Sequence, residues 1–382
     1  GCLALMASEV KAQDKKDLFN PVNYAVISQT IAPDARGGGW GDIGAATDPD
    51  VNSQYWNPAK YPFTISRAGV SLNFTPWLRS LVNDMNLAYL SGYYRIGDYS
   101  AVSASLRYFN MGEVFTSQEG AESGTGTTIN PYEMSFDVAY SLMLSEKFSL
   151  AAAIRYIYSD LRFDNTEDNS PASAFAADIA AYYQNYVVIG QRECQLGLGL
   201  NISNIGSKIT FSGKEYGEFL PANMRLGASL MIPIDEYNRV TLAADANKYL
   251  VPTVPKQEEG EDNSEYEDRV HREYDDISGI SGIFKSFSDA PGGFKEELEE
   301  INYGLGAEYV YNDKFALRAG YHHESQSKGN RKYFTVGAGF KMNVFSLDAA
   351  YVVATAKSNP LDQTLRFTLS FDMDGLKDLF KR

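Results

Sequence analysis

Residues 134–142 read Met-Ser-Phe-Asp-Val-Ala-Tyr-Ser-Leu, an alternation of apolar and mostly polar side chains that decides the fold. Successive side chains of a β-strand point to opposite faces, so this stretch predicts a strand with one apolar and one polar face. The polar face includes the charged residue Asp137. A dry protein core does not readily hold such charges, because burying an unpaired charge is costly.

The same alternation recurs along most of the chain, in segments separated by turn residues. Most of these segments run 10 to 14 residues, whereas strands of globular proteins cluster near ~5–6 residues and tilted membrane strands need ~9–11. The sequence therefore predicts an all-β transmembrane fold, a 14-stranded antiparallel β-barrel over residues 68–372. The predicted strands are 68–75, 84–96, 99–110, 132–144, 147–162, 173–186, 194–205, 222–232, 238–249, 301–312, 314–323, 330–342, 344–354 and 363–372.

Charged side chains recur on the polar face of these strands. In a membrane barrel the apolar face meets lipid and the polar face lines a wet interior, and an Arg facing lipid at mid-depth would cost ~2–4 kcal/mol. We therefore expect the charged residues to point into the lumen. They are Arg107, Asp137, Arg155, Asp178, Arg225, Asp245, Glu308, Arg318, Lys341, Asp348 and Arg366.

Composition is consistent with a membrane barrel and excludes several other classes. The chain has 382 residues and a formal net charge of −15, which argues against nucleic acid as a partner. After the first dozen residues no run of 18 apolar residues occurs, so no transmembrane helix is predicted. Residues 1–13 resemble the end of a secretory signal peptide, with a lipoprotein site at Cys2 as the alternative.

Connection lengths predict the orientation of the barrel. Tight connections such as Gly97-Asp98 alternate with longer ones, above all 250–300. Outer-membrane barrels have short periplasmic turns and longer extracellular loops. With an even strand count, we expect both termini in the periplasm, residues 373–382 forming a short periplasmic tail.

Residues 14–67 do not alternate, yet they contain two tryptophans, which a disordered leader would seldom have. We predict that they form a plug inside the barrel. The glycines permit close backbone approach in a crowded lumen, and Asn-Pro makes a rigid turn before the first strand. The candidate plug motif consists of Gly37, Gly38, Gly39, Trp40, Gly41, Trp56, Asn57 and Pro58.

This motif carries a family resemblance. The stretch from Pro33 to Asp50, followed by Gln54-Tyr55-Trp56-Asn57-Pro58-Ala59-Lys60, resembles the N-terminal plug signature of FadL-like barrels. More closely, it is similar to the PorV family of outer-membrane components of the Bacteroidetes type IX secretion system. The resemblance extends over the whole chain.

The resemblance implies a non-enzymatic role in protein secretion and no cofactor. Members of the family capture secreted cargo by its C-terminal signal domain at the outer membrane. They dock on the SprA-type translocon barrel and deliver cargo to the PorU-type sortase, which attaches it to lipopolysaccharide. These partners follow from the resemblance alone.

The segment 277–298 of the longest loop has apolar residues spaced mostly by three and four, a helical pattern. Apolar helix surface above a barrel needs the rim, lipid or a partner to cover it. We therefore expect a docking surface that includes Ile280, Ile283, Phe284, Phe287 and Phe294. The acidic stretch before it, 256–276, is typical of a solvated loop.

Two other functions compete with secretion. A FadL-like importer of hydrophobic small molecules would need an apolar lumen pocket, which the predicted lumen charges disfavour. A lipid-modifying enzyme would need converging catalytic groups, but His322 and His323 are consecutive in a predicted strand and point to opposite faces. The sequence has no zinc spacing, nucleophile elbow or phosphate loop.

Overall fold

The structure is a computed structural model that describes residues 19–78, 84–117, 126–161, 170–211, 216–258, 260–355 and 361–373. The predicted signal peptide remnant, residues 1–13, lies outside the described residues. So does the predicted tail, 373–382, apart from Met373.

Fourteen antiparallel strands close into one barrel. Strand β1 pairs with β16 to complete the ring, with Gly69 opposite Asp372 and Phe74 opposite Phe367. The prediction of a 14-stranded barrel is confirmed, and every predicted strand agrees with an observed one to within three residues at each end. The barrel strands are β1 (Ala68–Pro76), β2 (Asn86–Ile96), β3 (Ser100–Asn110), β6 (Tyr132–Ser145), β7 (Phe148–Asp160), β8 (Ala172–Ile189), β9 (Arg192–Gly206), β10 (Asn223–Pro233), β11 (Asn238–Tyr249), β12 (Ile301–Tyr311), β13 (Phe315–His323), β14 (Lys332–Lys341), β15 (Phe345–Ala354) and β16 (Leu365–Asp372).

The remaining elements lie in the N-terminal segment and the loops. Strands β4 (Val114–Ser117) and β5 (Gly126–Ile129) form a separate hairpin in a connection that the sequence predicts only as a loop. The helices are α1 (Ala35–Gly38), α2 (Ser53–Trp56), α3 (Asn263–Val270), α4 (Gly279–Lys285) and α5 (Phe294–Glu299), with 3-10 turns at Ile27–Thr30 and Pro58–Phe63 and a π turn at His271–Asp275. No helix among the described residues has the length and hydrophobicity to cross a membrane.

The alternation of the sequence becomes two chemically different barrel surfaces. On β3, Ser103, Ser105 and Arg107 are buried, whereas Leu106 and Tyr108 are exposed. The other strands repeat this arrangement, which places apolar side chains outside, as a lipid-facing surface requires.

The two ends of the barrel differ. Six short turns connect strands at one end, for example between Ile96 and Ser100, and the longer connections gather at the other. Strand β1 begins and β16 ends at the short-turn end, as an even strand count requires. The first described residues nevertheless lie at the long-loop end, where the Asn20 N–H donates to the Ser327 carbonyl at 2.7 Å.

The expectation that both termini lie in the periplasm stays a prediction, because residues 1–18 and 374–382 lie outside the described residues. Within the described residues, the chain starts at the long-loop end and passes through the lumen to reach β1 at residue 68. The strand count determines only where β1 begins and β16 ends. The path of a segment before β1 is set by its packing inside the barrel.

Candidate functional site: the lumen segment and the long loop

Residues 19–67, here called the lumen segment, lie inside the barrel and bond to strands around its whole circumference. The Ala35 N–H donates to Thr368 of β16 at 2.8 Å, and Gln54 donates to Asp137 of β6 at 2.5 Å. The Pro58 carbonyl accepts from Ser141 of β6 at 2.8 Å. Buried polar groups of a backbone that lies outside helices and sheets need hydrogen-bond partners. The polar inner face of the strands supplies these partners.

Asp34 organises the first half of the lumen segment. It is fully buried, caps α1 by accepting from the Gly37 N–H at 2.8 Å, and accepts from Trp56 Nε1 at 2.6 Å. Gly37 lies against the Trp56 ring, where a Cβ would come within 2.4 Å of Cζ2. Two residues of the predicted motif, Gly37 and Trp56, thus meet at one carboxylate that the sequence analysis did not single out.

The other predicted motif residues face different strands. Gly38 lies against the Arg366 guanidinium, and Gly39 packs on the backbone of Gly337. Trp40 is 1% exposed. Gly41 has φ +87°, a left-handed conformation that glycine adopts without strain, and its N–H donates to Thr335 at 2.8 Å.

The Asn57-Pro58 pair starts the 3-10 turn that leads toward β1. Asn57 Nδ2 donates to the carbonyls of Ala45 and Ala181, both at 2.9 Å, and its Oδ1 accepts from the Ala59 N–H. One side chain thereby ties two parts of the lumen segment to β8. The motif residues are joined through the lumen packing and do not form a single cluster.

Close backbone contact between the lumen segment and the wall depends on strand glycines, which the sequence analysis did not connect with the motif. A Cβ on Gly199 of β9 would lie 2.0 Å from the Ala45 carbonyl oxygen. Next to this contact, the Gly44 and Ala45 N–H groups donate to one oxygen of Asp245, at 2.8 and 2.9 Å.

We expect Gly199→Val to displace the turn at residues 44–46 and lower the free energy of unfolding by roughly 1–3 kcal/mol, the usual cost of overpacking. Urea unfolding followed by tryptophan fluorescence measures the change, because Trp40 and Trp56 are buried in the lumen segment. Leu198→Ala, at an outward-facing neighbour, is the control. Equal stability of Gly199→Val and the wild type would contradict the close contact.

Six of the predicted lumen charges form two buried networks. Arg318 of β13 pairs with Glu308 of the adjacent strand β12 and with Asp348 of β15, two strands away on the other side, both at 2.6 Å. Arg36 of the lumen segment joins this network through Glu308 at 3.4 Å and Asp50 at 2.9 Å.

The second network centres on Arg155, which pairs with Asp178 at 2.8 Å and Asp137 at 3.2 Å. Arg107 stands apart and donates to the Ser28 carbonyl at 2.5 Å and the Ile31 carbonyl at 3.0 Å. The predicted inward charges are thus buried, with one exception. Lys341 is exposed because it ends β14 beside a short turn.

Between the lumen segment and the barrel wall, at the long-loop end, is a cavity of about 540 Å³. The lumen segment contributes Tyr24, Gln29, Tyr55 and Trp56 to its lining. His322 lines the cavity and stacks on Tyr333, with ring centroids 4.9 Å apart. His323 instead stacks on Tyr303, an outward-facing residue. The two histidines therefore point to opposite faces.

Residues 250–300, here called the long loop, are anchored to the barrel rim by charges. Lys328 pairs with Glu296 at 2.7 Å and Glu300 at 3.0 Å, and Lys248 pairs with Glu297 at 3.0 Å and also with Glu300. These acids place the polar side of α5 on the rim. The sequence analysis missed this anchoring because it joins residues distant in sequence.

The candidate docking residues lie on two short helices, α4 and α5, rather than on one helix across 277–298, with Phe287 between the two. Gly282 packs against Phe219 and Pro252, and α5 is held by its acids, so each helix keeps its apolar residues outward. Ile283 is half-buried. The exposed fractions are 60% for Ile280, 75% for Phe284, 47% for Phe287 and 78% for Phe294.

Asp289 in the long loop is a titrating group. Its Oδ2 accepts from the Thr253 N–H at 2.9 Å, and Oδ1 is buried with no hydrogen-bond partner among the described residues. Burial, with the nearby charges of Glu297 and Glu300, raises the pKa of Asp289 to about 6 from an ordinary value of 3.8. The folded loop therefore binds this proton more tightly than the unfolded loop. The contribution of Asp289 to the stability of the folded loop therefore falls as pH rises from about 4 to about 6, and it stays lower above that range.

We expect Asp289→Asn to slow hydrogen exchange of the loop relative to wild type at about pH 7.5, where Asp289 is charged, and to have little effect at about pH 4.5. Comparing the two proteins at each pH removes the intrinsic pH dependence of exchange. Exchange differences that are the same at both pH values would argue against this titration.

These features define the class of protein: a FadL-like outer-membrane β-barrel whose lumen is occupied by its own N-terminal segment. Among solved structures, the Pseudomonas putida toluene transporter TodX is similar over 93% of this chain and 98% of its own, with 11% identity and a TM-score of 0.51. A Pseudomonas aeruginosa FadL homologue matches with 11% identity over 89% of this chain and 98% of its own, TM-score 0.45. The Ralstonia pickettii toluene transporter TbuX matches with 14% identity over 89% and 97%, TM-score 0.46. The first likeness establishes the fold.

The family follows from the sequence match. The model for the type IX secretion system protein PorV matches residues 11–256, from ahead of the lumen segment through β11 into the long loop. The chain therefore belongs to the PorV family, a component of type IX secretion in the outer membrane. No protein of curated function matches the sequence significantly.

Proposed function

We propose that this protein is a non-enzymatic adaptor of type IX secretion. It captures cargo through the C-terminal signal domain and passes it from a SprA-type translocon to a PorU-type sortase, which attaches it to lipopolysaccharide. The observation that carries this proposal is the PorV match over residues 11–256. The exposed apolar surface of α4 and α5 supports it, because a large exposed apolar patch is typical of a protein-docking site.

The lumen supports an adaptor rather than a conduit. Buried ion pairs and hydrogen bonds tie the lumen segment to strands on every side. A path through the barrel would require these bonds to break. The segment then serves as a plug that stiffens the barrel.

The direct test is capture of a purified cargo signal domain by this protein in detergent, together with co-purification of the translocon from outer membranes. Saturable capture is expected, and cargo without its signal domain is the control. Absence of both interactions would reject the proposal.

The alternative is an importer of hydrophobic small molecules, which the fold shared with the toluene transporter TodX suggests. The cavity argues against it because its lining includes Arg225, Arg331 and Arg366. Uptake of a labelled fatty acid into proteoliposomes tests this alternative. Uptake above that of empty vesicles would support the importer.

We further propose that the long loops face the outside of the cell and the short turns face the periplasm. Ser288 in the long loop and Glu236 in a short turn are both exposed. A membrane-impermeant maleimide should label Ser288→Cys in intact cells, and Glu236→Cys only after the outer membrane is permeabilised. The unsubstituted chain gives the background from its own cysteines, and the reverse labelling pattern would invert the orientation.

A further inference from the structure

The lumen cavity at the long-loop end has the size of a ligand site. Its volume of about 540 Å³ lies within the ~300–1,000 Å³ range of small-molecule pockets. The lumen segment forms its floor with Asp42, Tyr55 and Trp56, and the barrel strands form its walls. It is separate from the apolar surface of the long loop, and the secretion role requires no ligand here.

The charges that line the cavity are mostly positive. Four arginines line it, whereas Asp42 is the one carboxylate among the described lining residues. Three of the arginines have acidic partners: Arg155 has Asp137 and Asp178, Arg331 has Glu324, and Arg366 has Asp42.

Arg225 differs from the other three arginines. Among the described residues, no carboxylate lies within ion-pair distance of its guanidinium. It is 7% exposed, donates through Nε to Asn247 Oδ1 at 2.8 Å, and donates weakly to the Tyr55 and Trp56 carbonyls, both at 3.4 Å. Asp245 interacts with it electrostatically only from beyond that distance, and the Tyr55 and Trp56 rings lie 5.2 and 4.8 Å from it. A buried charge without an ion-pair partner is costly. An anion in the cavity would offset that cost.

Neutral polar groups surround this arginine. Asn223, Asn302 and His322 line the cavity, and each has a buried side-chain atom that finds no hydrogen-bond partner in the part of the chain that the structure describes. Amides both donate and accept hydrogen bonds, which suits hydroxyl groups. The amide side chains of the lining are Gln29, Asn204, Asn223, Asn247, Asn302 and Asn330.

Aromatic rings complete the lining. Tyr24, Tyr55, Trp56, Tyr249 and Tyr333 all line the cavity. They present flat apolar faces next to polar groups, as sites for amphipathic rings do. Fully apolar ligands do not fit this lining, because the Arg225 guanidinium and the Asn223 and Asn302 side-chain oxygens would lose water without gaining partners.

We propose that the cavity binds a small polyhydroxylated anion, a sugar acid or sugar phosphate, with Arg225 as the principal contact of its anionic group. Arginine pairs with carboxylate and phosphate by charge-assisted hydrogen bonds. The amides contact the hydroxyl groups, and an aromatic ring packs on the sugar.

Tryptophan fluorescence provides the test, because Trp56 and Trp77 both line the cavity. The full-length protein is purified in a polyoxyethylene detergent, which has no sugar headgroup, and titrated with glucuronate, glucose 6-phosphate and glucose. We expect saturable binding of at least one anion, at least about tenfold tighter than glucose. The preferred anion then distinguishes carboxylate from phosphate.

Two variants test whether Arg225 contacts the anionic group of the ligand. Asn247→Asp keeps the side-chain shape and places a carboxylate where Asn247 Oδ1 now accepts from Arg225 Nε. This carboxylate then competes with the anionic group of the ligand for Arg225. Arg225→Gln removes the charge. Each should weaken anion binding at least about tenfold, while Arg239→Gln at an exposed turn leaves it unchanged. Migration on a gel with and without boiling checks that each barrel is folded.

The proposal is overturned if neither anion gives a saturable change with the wild type. It is also overturned if glucose binds as tightly as the anions, or if folded Asn247→Asp binds the anion with wild-type affinity. None of these outcomes depends on cargo or translocon.

Discussion

Replacing Ile280, Phe284 and Phe294 with serine is expected to reduce co-purification with the translocon and capture of cargo at least tenfold. These side chains are 60%, 75% and 78% exposed on α4 and α5. Full burial of each large apolar side chain in an interface contributes ~1.5–3 kcal/mol, and ~1.4 kcal/mol corresponds to a tenfold change in affinity. Loss of even one such contact accounts for the expected effect.

The barrel should remain folded in this triple variant, because the replaced side chains do not support its strands. The charged anchors of the long loop, such as Lys328 with Glu300, are unchanged. Ile65→Ser removes an apolar side chain that is 98% exposed at the opposite end of the barrel, and it serves as the matched control. Wild-type capture and co-purification by the triple variant would exclude this surface as the docking site.

Arg318→Met is expected to lower the free energy of unfolding by about 3–5 kcal/mol, the usual result when one partner of a buried ion pair is removed. Arg318 donates to Glu308 and Asp348, both at 2.6 Å, and all three side chains are at most 11% exposed. After the substitution, Arg36 is the remaining cation near Glu308, at 3.4 Å. Two carboxylates then remain buried in a lumen with less compensating charge.

Arg239→Met is the matched control for this substitution. Arg239 also pairs with an aspartate, Asp313, but at an exposed turn, where such pairs contribute ~0–1 kcal/mol. Urea unfolding from lipid vesicles, followed by tryptophan fluorescence, compares the two variants. Equal losses of stability would mean that burial does not strengthen the inner network.

The fold could be predicted almost completely from the sequence. Apolar and polar residues alternate with a period of two in stretches such as 134–142. Side chains of a β-strand alternate between its two faces with the same period, so the pattern predicts both the strands and the face of each residue. The hairpin of β4 and β5 was missed because its strands have four residues each, too short for alternation to stand out from a loop.

The contacts of the lumen segment and the helices of the long loop could be predicted less completely. The motif residues Trp56 and Asn57 do lie in the lumen, but their partners Asp34 and Ala181 are visible only in the structure. The single helix expected across 277–298 is two helices, because residues between them turn the chain while the apolar spacing continues. The docking role of that surface stays a prediction.

The sequence by itself determined that this chain forms a membrane barrel with charges turned inward, because period-two alternation and strand length depend on local order alone. Only the tertiary structure decided which charges pair and how the lumen segment runs from the long-loop end to β1. It also decided that Arg225 lies beside a cavity with no carboxylate partner among the described residues. Several of these features depend on contacts between residues more than a hundred positions apart, such as Ala45 with Gly199 and Trp56 with Arg225. Local sequence patterns carry no record of such distances.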